Sequence, residues 1–441
     1  MANDNTKSTT DDAQSSQSTS RITLGRRNLL KTGSALGMAS LTGCTGGSGS
    51  NSDRETFRFG IVTSLSGPLR YGGQVTKRGY DLWKNRINED GGIEVNGNRY
   101  EVEFTYADAQ SDPSTGADAT QKMIDNEDVD AMLGPYSSQV PLSMGPILDQ
   151  NQMPCITGSS ESPELWRNQH EYLFGTIPSV NVFVGDVVEM LLSFDPSAET
   201  AYITGVNGPF SKSAAQGMRA GAEAAGVEVL GYELYPADAD RSSIISEAQS
   251  AEPDVHLNSG NIDSNATFMA SAQELSYEPN GVFQHYGINT PGYKNAGDAA
   301  AYTFGATLWL PQAGRSGGQL WGDSQTYADQ FQAEYDKLPE YTEAASSATG
   351  VVYQEALAEL GAEPPLTGDE QTQLISILEE ITVDTFWGTI DYESEGENYH
   401  NNITTNPLAI QLNEDLDPEI VAPADVAETE PTYPIPSWSD R

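Results

Sequence analysis

The chain has 441 residues, with 22 Lys and Arg against 64 Asp and Glu and a formal charge of −42. A length of this order predicts about three domains at roughly 150 residues each. So negative a charge argues against nucleic acid as a partner, since phosphate binding needs a basic patch; two cysteines argue against a disulfide framework, and no apolar run reaches the ~18 residues of a membrane-spanning helix.

The acids are spread along the chain, and only 8 of the 22 basic residues are Lys. This pattern fits a protein adapted to very high salt. Molar salt screens self-repulsion within about 3 Å, whereas in dilute buffer the same charge loosens the compact state.

Residues 1–20 are rich in Ser, Thr, Asp, Asn and Gln and lack the apolar surface needed to fold. Arg26-Arg27-Asn28-Leu29-Leu30-Lys31 and the mildly apolar stretch Gly33 to Leu41 then read as an export signal of twin-arginine type. Leu41-Thr42-Gly43-Cys44 resembles a lipobox, with Cys44 as the residue that takes the lipid and attaches the chain to the membrane. Gly46-Gly47-Ser48-Gly49-Ser50 follows as a flexible tether. Removal of residues 1–43 leaves 17 basic residues against 61 acidic ones.

Phe57 to Thr63 alternates as a strand and turns at Ser66-Gly67-Pro68. Tyr80, Trp83 and Ile87 share one helical face, which Gly91-Gly92 ends. Asn96-Gly97 is a hairpin turn before the alternating strand residues Tyr100, Val102, Phe104 and Tyr106. Asp112-Pro113 starts the next helix; Ala131-Met132-Leu133 is a buried strand, residues 139–150 a helix, and Met153 to Thr157 a further strand.

From Val182 the alternation restarts. Helices are predicted at Val182 to Phe194, after a Ser211 cap, at 242–251 and around Phe268 to Leu275. Strands are predicted at Ala201 to Thr204, Val227 to Tyr235, Val255 to Asn258 and Val282 to His285. Helices at 324–336, 343–360 and 370–381 return to the first lobe, and strands Phe386 to Tyr392 and Leu408 to Leu412 return to the second. Alternating strands and helices argue for parallel sheets covered on both faces.

The order Ser64-Leu65-Ser66-Gly67-Pro68, Tyr71-Gly72, Ile87-Asn88, Gly91-Gly92-Ile93, followed by Gly134-Pro135-Tyr136-Ser137-Ser138, Pro154, Thr157 and Ser162-Pro163-Glu164-Leu165, resembles the branched-chain amino acid and amide binding proteins of ABC importers. The likeness is clear over residues 57–178, and element order agrees to about residue 412. It implies an α/β type I periplasmic-binding-protein fold: two doubly wound parallel-sheet lobes joined by a three-stranded hinge. The organisation expected is a signal at 1–43, a lipidated Cys and tether at 44–56, lobe 1 at 57–178 plus 311–384, lobe 2 at 179–310 plus 385–423, and an acidic, Pro-rich, mobile tail at 424–441.

The resemblance also implies a role as a monomeric binding lipoprotein on the outer face of the cytoplasmic membrane. It would capture a small polar solute, a branched-chain amino acid or a short amide or urea, by hinge closure and present it to ABC permease subunits. Carried over by position, the ligand-binding candidates are Tyr71, Ser138, Ser159, Glu161, Phe210, Asn261 and Tyr286. Ser138 matches a serine that grips a ligand carboxylate, and its residue type also suits a helix cap. Tyr286 stands where the amino acid binders carry a second-lobe carboxylate for the ligand ammonium. Either the ligand is not a zwitterion or another acid serves; Glu161, in place of a family Thr, is the first candidate and Asp263 the second.

The alternatives are a sensor coupled to a chemotaxis transducer and an extracellular hydrolase. Gly314-Arg315-Ser316-Gly317-Gly318 fits G-x-S-x-G but lacks the strand and helix of a nucleophile elbow. His170, His256, His285 and His400 have no metal-ligand spacing, so neither metal nor cofactor is expected. Cys155 reads as an inert core thiol, and Asn265 and Asn402 satisfy N-x-[ST].

Overall fold

The computed structural model describes residues 55–194, 197–318, 320–404 and 406–441. The twin-arginine segment, Cys44 and the Gly/Ser tether lie outside the described residues. β1 (Thr56–Thr63) buries Phe57, Phe59 and Ile61, while Arg58 reaches Glu103 at 3.1 Å. α1 (Arg70–Glu89) buries Tyr80, Trp83 and Ile87 as their spacing predicts. β2 (Ile93–Val95) and β3 (Asn98–Asp108) pair antiparallel across Asn96-Gly97, both at positive φ. α2 (Pro113–Asn126) starts at Asp112, whose side chain accepts from the Thr115 N–H at 2.7 Å. β4 (Ala131–Leu133), α3 (Gln139–Asn151), β5 (Cys155–Thr157), α4 (Pro163–Arg167) and β6 (Leu173–Gly175) complete the first round. Cys155 is fully buried, and burial pushes its thiol up into an inert state.

The second round comprises α5 (Val180–Leu192), β7 (Thr200–Val206), α6 (Pro209–Ala224), β8 (Glu228–Tyr235), α7 (Arg241–Ala251), β9 (Val255–Ser259), α8 (Ile262–Glu274), β10 (Gly281–Gln284) and β11 (Phe304–Thr307). Helix α6 starts after Gly208, so Ser211 is a buried residue of its first turn and not the cap. α9 (Ser324–Tyr335), α10 (Tyr341–Leu360) and α11 (Gly368–Glu380) follow, then β12 (Thr382–Thr385), β13 (Gly388–Asp391), β14 (Leu408–Leu412) and β15 (Pro418–Ala422).

The strand orders are β2-β3-β1-β4-β5-β6 and β15-β14-β11-β10-β9-β7-β8. All neighbours are parallel except β2, β14 and β15. Each sheet therefore reverses its order at its first strand, β3-β1-β4 in one and β8-β7-β9 in the other. The crevice beyond the carboxyl ends of strands at such a switch point is where doubly wound sheets take ligands. The fold is that of a type I periplasmic binding protein with two lobes.

Three connections cross between the lobes, at 176–179, 308–310 and 392–407. The first and third are bonded: Asn402 N–H donates to the Gly175 carbonyl at 2.8 Å, and the Asn401 amide to the Ile177 carbonyl at 2.6 Å. Arg315 ties the second to the third, donating to the carbonyls of Leu308, Trp387 and Asn406 at 2.6, 2.8 and 2.6 Å. The Gly314–Gly318 string is a loop built around this guanidinium, with Ser316 in a lone bridge to Asp323.

Two further expectations are corrected. Phe386 to Tyr392 is not a second-lobe strand: Phe386 and Trp387 form the turn of the separate β12–β13 hairpin, with Phe386 stacked on Tyr327 of α9 at 4.0 Å. The tail is held on the second lobe. Ile435 N–H donates to the Asn280 carbonyl at 2.9 Å, Thr432 N–H to Gln411 Oε1 at 2.8 Å, and the Trp438 indole to the Tyr277 carbonyl at 3.1 Å. Asn265 and Asn402 are buried with their amides bonded to carbonyls, which leaves neither available to a glycan.

Candidate functional site

The loop after β1 is built by Asp108 at the end of β3. Its carboxylate accepts from the Leu65 and Ser66 N–H groups at 2.9 and 3.1 Å and from Ser66 Oγ at 2.6 Å. Ser66 is therefore a loop staple. Helix α10 lies unusually close to this lobe because two glycines admit it. A Cβ on Gly79 would come within 2.3 Å of the Glu343 carbonyl, and one on Gly158 within 2.6 Å of Ser346 Cα. That approach carries Tyr341, the first residue of α10, to the loop after β5.

There, a cavity is lined by Tyr136, Ser137, Ser138, Ser159, Glu161, Phe210, Asn261 and Tyr286. The first five follow β4 and β5 of one lobe; the last three follow β7, β9 and β10 of the other. Six of the seven candidates read from the sequence thus share one cavity. Tyr71 does not line it: its ring is 39% exposed and its hydroxyl bonds Glu340, the residue before α10. Asp263 is exposed in the first turn of α8 and does not line it either.

Ser138 precedes α3 yet makes no cap bond to that helix. Its Oγ instead accepts from the N–H groups of Glu161 and Ser162 at 3.2 and 3.0 Å, fixing the loop after β5. With its oxygen so occupied, the hydroxyl proton is what Ser138 can offer a ligand oxygen. Ser159 Oγ is engaged within the protein, donating to the Pro135 carbonyl at 3.1 Å and accepting from Thr76 at 2.9 Å.

Glu161 is 4% exposed. Its Oε1 accepts from the Tyr341 hydroxyl at 2.9 Å, and its Oε2 is buried with no partner. Burial pushes its carboxyl up to about 8, against the smaller opposing effect of the Tyr341 bond. Across the cavity the Tyr286 ring stands edge-on to Phe210 (5.6 Å, 89°) and to Tyr341 (5.8 Å, 81°). Asn265 donates to the Tyr286 carbonyl at 2.9 Å. It also accepts from Asn258, which joins a buried chain through Thr204 to His256 and Tyr277. His285 packs against Phe210 at 4.8 Å, and burial pushes it down to about 3, so it stays neutral.

Helices α3 and α8 begin after the lining residues Ser138 and Asn261, α6 carries Phe210 in its first turn, and α10 begins beside them. Their free first-turn N–H groups favour a carboxylate or carbonyl oxygen. The same wall holds one acid and several rings, which suit a cation. The sequence reading missed Tyr136, Ser137 and Tyr341. The first two sit inside the Gly134–Ser138 string; Tyr341 carries no local signal. Among the described residues no cluster of three potential metal ligands occurs, and no helix is long and apolar enough to cross a membrane.

A family model described as "Periplasmic binding protein" matches residues 56–410. The chain is similar to "Leu/Ile/Val-binding protein homolog 8" of Brucella abortus, 26% identical over 230 residues, which are 50% of this chain and 56% of that one. It is also similar to "Leu/Ile/Val-binding protein BraC3" of Rhizobium johnstonii, 24% identical over 198 residues, 45% and 52% of the two chains. It spans about half the length of the curated relatives it matches. Two solved structures share the fold. The substrate-binding protein LivJ of Streptococcus pneumoniae, in complex with isoleucine, has a TM-score of 0.70 at 17% identity, covering 83% of this chain and all of that one. A solute-binding protein from R. palustris, in complex with benzoate, has a TM-score of 0.68 at 16% identity, covering 87% and 97%.

Proposed function

The chain belongs to the periplasmic-binding-protein family, and from that premise we propose that it is the solute-binding component of an ABC importer. In this reading it captures a small carboxylate- or carbonyl-bearing solute, with an amino acid the first candidate, as the two lobes close. The observation that carries the proposal is a cavity lined from both lobes, with helix starts on its walls. A solute bridging both walls stabilises the closed arrangement because neither lobe alone supplies the full set of contacts. The closed form then docks on permease subunits, and no bond is made or broken.

The proposal extends to location. Arg26-Arg27, the stretch to Leu41 and the Cys44 context support twin-arginine export and lipid anchoring on the outer face of the membrane. The charge of −42 supports a salt-rich environment.

The test is a thermal-shift screen of the full chain in molar salt over amino acids, short amides and urea. One chemical class raising the melting temperature in proportion to log concentration is expected. No response to any of them, or turnover of ester or amide substrates, would contradict the proposal.

A further inference from the structure

The acids around the cavity are not all matched by cations. Glu340 and Glu343, near its edge, are matched: Lys337 donates to them at 3.3 and 2.8 Å, and Arg78 to Glu343 at 2.6 Å. Glu161 has no such partner. None of the lining residues is Lys or Arg, and His285 behind Phe210 is neutral. The groups that face Glu161 are the phenols of Tyr341, Tyr136 and Tyr286, all held protonated by burial, and the charge of Glu340 reaches the same phenols. Burial keeps the Glu161 carboxyl neutral while the cavity is empty, and it can ionise there only when a donor meets its open oxygen and a counter-charge stands beside it.

Building on the solute-binding reading above, we infer that the cavity takes a solute with a protonated, N–H-bearing nitrogen, which Glu161 Oε2 receives from the first lobe. The rings of Phe210, Tyr286 and Tyr136 line the same space and place aromatic faces around such a cation. Tyr286, on the second-lobe wall of the cavity, brings no charge. A quaternary nitrogen leaves Oε2 without its hydrogen bond. A solute whose only charged group is a carboxylate meets either a like charge or the protonated acid there, and brings no counter-charge.

The binding mode has a proton signature. Burial holds the Glu161 carboxyl up to about 8. At pH 7 it is therefore largely protonated while the cavity is empty, and an entering ammonium expels that proton.

The test uses the full chain in molar salt, wild type and Glu161→Gln, with three probes on one skeleton: L-leucine, 3-methylbutylamine and 4-methylpentanoate. Panels of simple amines and simple carboxylates are screened alongside. Calorimetry in two buffers of different ionisation heat is expected to show proton release by the wild type with nitrogen-bearing probes. Glu161→Gln is expected to lose that release and at least about tenfold in affinity. A carboxylate without nitrogen binding the wild type as tightly as its amino counterpart overturns the inference and leaves the solute-binding reading standing. Unchanged amine affinity in Glu161→Gln does the same. Failure of every probe counts against both.

Discussion

Tyr341 donates its hydroxyl to Glu161 Oε1 at 2.9 Å across 180 residues of sequence, and the second carboxylate oxygen has no protein partner. The pair joins the first turn of α10 to the loop after β5. It gives a buried acid just enough support to exist and leaves half of its capacity open.

This arrangement makes stability pH-dependent. The folded Glu161 carboxyl lies at about 8, above its ordinary 4.5. The folded state thus binds the proton more tightly, and stability contributed by the neutral form is lost as pH rises from about 4.5 to 8. The loss is on the order of a few kcal/mol for this single group. Thermal melts of the ligand-free protein against Glu161→Gln across pH 5–9 should diverge, with the variant gaining on the wild type as pH rises. Parallel curves would remove the buried charge from the account.

Asn265 is the last member of the buried polar chain in the second lobe, and it fixes the Tyr286 carbonyl. Asn265→Ala leaves that carbonyl, the Gly260 carbonyl and the Asn258 amide short of partners. Each buried unsatisfied group costs about 1–3 kcal/mol. Denaturant unfolding in molar salt should show a loss of at least about 2 kcal/mol. A loss within 0.5 kcal/mol, roughly that of a neutral surface change, would contradict this role.

Arg315 holds three carbonyls that belong to the interlobe crossings and the β12–β13 hairpin. Lys carries one compact ammonium and cannot reproduce that fork. Arg315→Lys should therefore lower stability by about 2 kcal/mol or more, measured by the same unfolding experiment. Retention of full stability would mean the guanidinium bonds are incidental.

Salt should matter more than for an ordinary chain. Self-repulsion at −42 acts over about 10 Å at 0.1 M salt and about 3 Å at 1 M. The melting temperature should climb between 0.1 and 2 M KCl and climb less in a neutral osmolyte. A flat salt profile would contradict a high-salt adaptation.

Much of the fold is legible in the sequence because its signals are local. Tyr80, Trp83 and Ile87 announce a helical face, Asp112-Pro113 a helix start, and Asn96-Gly97 a hairpin, and each has that role. Phe386-Trp387 misleads because an aromatic pair beside Thr and Ile reads as a buried strand. Its burial comes instead from Tyr327 and from Trp309, which donates to the Phe386 carbonyl. The tail misleads because its acids and prolines suggest mobility, whereas Ile435 and Trp438 dock. Six candidate residues meet in one cavity because strand ends at a switch point are fixed by sheet order, which the alternation of elements implies. Tyr341 is illegible for the opposite reason: only the close seat of α10 against Gly79 and Gly158 brings it to Glu161.

The claim on which the rest depends is that the walls bearing Ser138 and Glu161 and those bearing Phe210 and Tyr286 come together around a solute. Small-angle X-ray scattering of the full chain in molar salt, with and without the solute that raises its melting temperature most, measures this directly. The account predicts a smaller radius of gyration with solute, and loss of that change in a variant that no longer binds it. Superimposable curves at saturating solute would contradict it.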